Sequence, residues 1–154
     1  MTYPRIKTAA LVLSIATLQV AALSLVPLNS AHAQDAASVT VTFTGFTVPT
    51  GAIMAGLYDT EAAFNGGQPV QGVRIDIAGA EATTVISGLK PGRYAIKAYH
   101  DVDGDGRMNT NPFGMPTEPY AASNNAPARM GPPAWTDAVF EVPAEGAAQT
   151  ITID

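Results

Sequence analysis

The stretch Arg93-Tyr94-Ala95-Ile96-Lys97-Ala98-Tyr99-His100 runs straight into Asp101-Val102-Asp103-Gly104-Asp105-Gly106. Its first half alternates. Tyr94, Ile96, Ala98 and His100 fall on one side of an extended chain, Arg93, Lys97 and Tyr99 on the other. That period of two marks a strand with one face against a core, and the more apolar first set is expected inside. Its second half ends the strand with aspartates at alternate positions and two glycines.

The rest of the chain repeats the first pattern. Val39, Val41 and Phe43 alternate with threonines, and Gly45 then shifts the phase to Phe46 and Val48, which predicts a bulge or bend. Pro49-Thr50-Gly51 turns the chain into Ile53, Ala55 and Leu57, a second strand ending at Tyr58-Asp59. Thr60 to Phe64 predicts a single helical turn capped by Asp59 or Thr60. Val73, Ile75 and Ile77 make a third strand, Ala82 to Ile86 a weaker fourth, and Gly88 to Gly92 the turn before Arg93. Ala138 to Val142 and Thr150 to Ile153 supply two closing strands. About seven short strands joined by Gly/Pro turns, with no long amphipathic helix, predict an all-β fold: a single antiparallel β-sandwich with one long ordered loop. A closed barrel is the alternative.

Residues before this pattern have another character. Arg5 and Lys7 precede an apolar run from Thr8 to about Pro27, followed by Ala31-His32-Ala33. That is the layout of a cleavable signal peptide over 1–33, leaving one domain over 34–154, periplasmic or secreted and without a membrane span. An uncleaved anchor is the rival reading. Cleavage removes two basic residues and no acidic one, taking the formal charge from −5 to −7. Such a surface excludes nucleic acid, whose phosphates need clustered Lys and Arg. The chain has no cysteine, which excludes disulfides, thiol nucleophiles and thiolate metal sites. Without His32, His100 is the single histidine, so no mechanism needing two is open.

Asp101, Asp103 and Asp105, then Gly106 and Asn109, match the front half of a calcium loop. Alternate carboxylates on a tightly turning chain converge on one point, and a hard cation takes six to eight oxygens. The twelfth position, where a helix–loop–helix hand has glutamate, is Pro112, and a strand precedes the loop. The expected site is therefore a calcium loop within a β-domain, completed by Glu118 or Asn111. The alternative is a solvated polar turn partly neutralised by Arg107.

From Asn111 to Trp135 the chain lacks periodicity and is rich in Pro, Gly and Asn. Phe113, Met115, Tyr120, Met130 and Trp135 are expected to anchor it as an ordered excursion over one end of the domain. His100 could be a ligand or base, or a strand-end histidine bonded to a backbone group or to Asn124. Tyr99, Phe113, Tyr120 and Trp135 could form an aromatic platform, or could simply be loop-anchoring core. Asn124 and Asn125 complete the expected loop surface.

Gly88-Leu89-Lys90-Pro91-Gly92-Arg93-Tyr94-Ala95-Ile96 resembles the turn-and-strand of transthyretin-like (prealbumin) and carboxypeptidase-regulatory-like sandwiches. Continued through His100 to Gly106, Asn109, Phe113 to Glu118, Tyr120, Ser123-Asn124-Asn125, Gly131-Pro132-Pro133 and Phe140, it resembles the bacterial domain-of-unknown-function family 2141. The resemblance spans about Val39 to Ile153 and implies an exported single-domain sandwich; no activity or catalytic residue comes with it. The expected function is a non-catalytic binding or structural module of the bacterial envelope, calcium-stabilised, with an unidentified protein or small-molecule partner. The alternatives are a cation-dependent enzyme built around His100 and Glu118, and a carrier of a small apolar ligand between the sheets.

Overall fold

The computed structural model describes residues 36–154. The expected signal peptide and its cleavage site lie outside them. The alternating stretches become strands. β1 (Ala37–Thr44) turns Val39, Val41 and Phe43 inward and its threonines outward. It runs between β4 (Ala82–Leu89), antiparallel, and β8 (Ala147–Thr152), parallel, in a three-stranded sheet.

The second sheet is ordered β3 (Gln71–Asp76), β2 (Ala52–Tyr58), β5 (Gly92–Asp101), β6 (Tyr120–Ala122), with β7 (Phe140–Val142) on the first residues of β5. One buried cluster takes side chains from both sheets, including Phe43, Ile86 and Ile151 from the first and Ile53, Leu57 and Ile96 from the second. Tyr94, Ile96, Ala98 and His100 are all buried, as the alternation predicts.

Four expectations are corrected. The described residues form eight strands rather than seven, in two sheets and with no closed barrel. The β1–β8 pair is parallel, so the architecture is not purely antiparallel. A period of two fixes which face of a strand is buried and says nothing about its direction or partner. The extra strand, β6, interrupts the segment expected to be one long loop. The strand expected over 138–142 begins late, because α2 (Trp135–Ala138) takes up its start.

The turns follow local chemistry. α1 (Glu61–Phe64) is capped by Thr60, whose hydroxyl accepts from Ala63 N–H at 3.3 Å. Gly45 has a φ of 85°, and a Cβ there would meet Ile153 O at 2.9 Å, so the bend after β1 requires glycine.

Ser123-Asn124-Asn125, a 3-10 turn after β6, fastens three elements with side chains. Buried Ser123 Oγ accepts from Ile96 N–H at 2.9 Å and donates to Ala138 C=O at 2.5 Å. It fills the place of a backbone partner along β5 between β6 and β7. Asn124 Nδ2 donates to the carbonyls of Asp137 and Val139. Asn125 imitates a neighbouring strand: its Oδ1 accepts from Thr152 N–H at 2.8 Å and its Nδ2 donates to Thr150 C=O at 3.4 Å. Both asparagines hold a positive φ, near 58° and 50°, a conformation that asparagine tolerates better than most residues. The edge of β8 is thereby capped, its ladder groups taken by an amide.

Candidate functional site

Two places on the second sheet bring the chemistry-bearing residues together: the acidic loop after β5, and a groove on the sheet's outer face.

The acidic loop is built on its own carboxylates. Asp101, fully buried, accepts from Gly104 N–H at 2.8 Å and Gly106 N–H at 3.0 Å. Asp103 accepts from Asp105 N–H at 3.1 Å and from Asn109 Nδ2 at 2.6 Å; Asp105 accepts from Arg107 N–H at 2.7 Å. Gly104 and Gly106 both have φ near 78°, which lets successive N–H groups turn inward. One oxygen from each of Asp101, Asp103 and Asp105 lies within 4.8 Å of the others. Among the described residues no Lys or Arg forms an ion pair with any of the three. Such a set of hard oxygen donors suits a calcium-sized cation.

Glu118 does something different from the expected completion of the shell. Its two oxygens accept from Val102 N–H at 2.9 Å and Asn109 N–H at 3.0 Å, clasping both ends of the loop. It is not one of the carboxylates that converge. Asn111 likewise stays outside, its Oδ1 accepting from the N–H groups of Phe113 and Met115. His100 Nε2 lies 2.6 Å from Thr50 C=O, so it bonds a backbone group and not Asn124. This makes Nε2 the protonated nitrogen. Nδ1 is buried without a partner among the described residues, and the ring packs at 5.6 Å from Phe46.

The outer face of the second sheet has two halves. Over Ala95 and Ala122 it is closed by Phe64 from α1 and Trp135 from α2, with Ala126 and Ala138, in a second small core. Phe64 and Trp135 meet edge-on at 5.7 Å between ring centroids. Beside it the face is open. Met54, Tyr58, Lys97, Tyr99 and Tyr120 form one wall and floor of a cavity of about 1170 Å³, and Met108, Met115, Met130, Pro132 and Pro133 form the other. Cross-strand register sets the floor: Arg74, Met54, Tyr99 and Tyr120 make one row, and Gly72, Gly56 and Lys97 the next. Of the two facing glycines, Gly56 lies under the Tyr58 hydroxyl and Pro69, and Gly72 leaves its backbone bare.

Lys97 stands at the border of the two halves. Its ammonium lies 4.1 Å from the Phe64 ring centroid and 5.5 Å from that of Tyr58, and it donates to Phe64 C=O. Burial lowers its pKa from the ordinary lysine value and raises that of Tyr58. Tyr99 is raised by burial first, then by the negative charges of Asp101, Glu118 and Asp105.

The expected anchors of the long segment are therefore reassigned. Trp135 is 8% exposed and does anchor, whereas Phe113 at 89% and Met130 at 109% project into solvent. The aromatic platform divides likewise. Tyr99 and Tyr120 pair across β5 and β6 in the groove, Trp135 belongs to the small core, and Phe113 to neither.

Residues 41–152 match a bacterial family. The chain belongs to DUF2141, described as an uncharacterized protein conserved in bacteria. Comparison with curated proteins and with solved structures finds no match. Within this DUF2141 domain, sequence reasoning missed the groove. The signal was present: β2 carries Met54 and Tyr58 opposite its inward Ile53 and Leu57, and β5 carries Tyr99 opposite Ala98 and His100. Strands apolar on both faces imply a covering on the second face.

Proposed function

We propose that this domain is an exported, non-catalytic binding module of the bacterial envelope, a two-layer β-sandwich whose open outer groove takes a small, largely apolar ligand. The observation that carries this reading is the groove itself: about 1170 Å³, walled by four methionines, three tyrosines and prolines. Its size exceeds the roughly 300–1000 Å³ of ordinary small-molecule sites. Unbranched methionine side chains adapt to varied apolar shapes, a property of tolerant binding surfaces.

The acidic loop serves this groove. Calcium on Asp101, Asp103 and Asp105 would relieve their mutual repulsion and stiffen the segment carrying Met108 and Met115. The carrier reading moves with the cavity, from between the sheets to the outer face. A catalytic role has less support. His100, Glu118 and the three aspartates do not line the groove, and Glu118 has both oxygens on backbone N–H groups.

The test is fluorescence titration of the purified protein with the neutral dye N-phenyl-1-naphthylamine, with and without millimolar calcium. Saturable binding at one site is expected, lost in Gly72→Trp while thermal stability is retained; a Cβ at Gly72 meets nothing closer than 4.0 Å. Calcium should raise the melting temperature, since a ligand of the native state stabilises it. No saturable binding, or binding untouched by Gly72→Trp, overturns the groove. Identical melting with calcium and chelator overturns the cation.

A further inference from the structure

Resting on the groove as a ligand site, we infer that its ligand is a free amphiphilic monocarboxylate, with the carboxylate at Lys97 and the apolar tail running past Met54 and Tyr99 towards Met108. The charged residues of the groove lining are Arg74 and Lys97, and neither Asp nor Glu is among them. In a chain of net charge −5 this is a local reversal of sign.

The two cations are not equivalent. Arg74 is already paired with Asp76 at 2.8 Å. Lys97 has no carboxylate partner among the described residues. An ammonium has three donors; one goes to the Phe64 carbonyl. Lys97 lines the groove in the same cross-strand row as Gly72, and among the described residues no carboxylate meets its remaining donors.

The groove is also polarised along its length. Lys97 and Tyr99 lie two residues apart on the same face of β5, about 7 Å. Beyond Tyr99 stand Asp101, Asp105 and Glu118, whose charges reach the phenol. An anion at that end is repelled and an anion at Lys97 attracted, so the ligand has one favoured direction. The neutral walls between accept a hydrocarbon or aromatic tail. A dianion or a sugar would leave polar groups against methionine and proline without partners.

The experiment is competition for the dye between dodecanoate and its methyl ester, which differ in charge and little in shape. Dodecanoate is expected to displace the dye about tenfold more tightly, the size of one desolvated ion pair of modest strength. Lys97→Met should erase that preference, so that dodecanoate competes no better than its ester whatever the variant's dye affinity, and Lys97→Arg should keep it. Circular dichroism and a cooperative thermal transition report that each variant has folded. Equal affinity for acid and ester in the wild-type protein, or a preference that survives Lys97→Met, overturns the inference while the groove stands. No dye binding at all overturns the groove instead. Sedimentation with phosphatidylglycerol vesicles and no displacement by dodecanoate would assign the cation to a membrane surface and also overturn it.

Discussion

The outer face of the second sheet solves one problem in two ways. At the end over Ala95 and Ala122 the apolar surface is closed by Phe64 and Trp135, delivered by two single-turn helices. At the end over Met54 and Gly56 a comparable surface is left open under a segment whose largest apolar side chains point outward. A chain able to close one half could have closed both. The closed half buries its apolar side chains, and the open half leaves methionine and tyrosine side chains lining a groove. Lys97 marks the boundary, its ammonium against Phe64 of the closed half while the residue also lines the open groove.

The sharpest way to break this contrast is to exchange a large apolar side chain for alanine at each end. Trp135→Ala should cost about 3–5 kcal/mol, the usual loss for a large buried aromatic, read from urea unfolding. Met130→Ala should stay within about 0.5 kcal/mol, as exposed substitutions do. Equal costs would mean that the open half is a second core.

A smaller effect is expected where the closed half is fastened to β5 by Ser123. Ser123→Ala leaves the Ile96 N–H without its acceptor, and a buried orphan donor costs about 1–3 kcal/mol. Unfolding midpoints for Ser123→Ala and Ser123→Thr should separate the lost hydroxyl from mere change of shape. No loss in the alanine variant would show that solvent can reach the site.

The smallest effect concerns Lys97. Its folded pKa is lowered by burial, so the unfolded chain keeps the proton to higher pH. Stability should therefore rise as pH climbs from the folded value towards 10.5. Tyr58 and Tyr99 are raised above 10.0 and act oppositely, removing stability as pH passes that value. Solvent around these half-exposed groups screens both trends. Comparing wild-type and Lys97→Met unfolding in mildly alkaline buffer isolates the first; an unchanged difference between them across the range would contradict it.

Much of this was legible in the residues. The alternation of β1, β2, β3 and β5 placed Val39, Ile53 and Ile96 inside, and the aspartate spacing located the carboxylates that converge. The pairing of β1 with β8 was not legible, because an alternating strand carries no mark of its neighbour. β6 and β7 are three residues each, too short for a period to register. The partner between them is the Ser123 hydroxyl, which no backbone pattern foretells. Glu118 read as a ligand because a carboxylate near a cation site and a carboxylate clasping N–H groups look alike in sequence.

The parallel pairing of β1 with β8 has a consequence for how the molecule comes into being. It joins Val39 to Ala147, and Thr44 to Thr152 across a separation of 108 positions. A contact that distant in the chain forms late and slows folding. Until β8 has been synthesised, β1 has an empty flank and the first sheet is only a pair of strands, which is marginal in water. The first sheet should therefore be the later of the two to close, since the second pairs strands that lie nearer to one another in the chain.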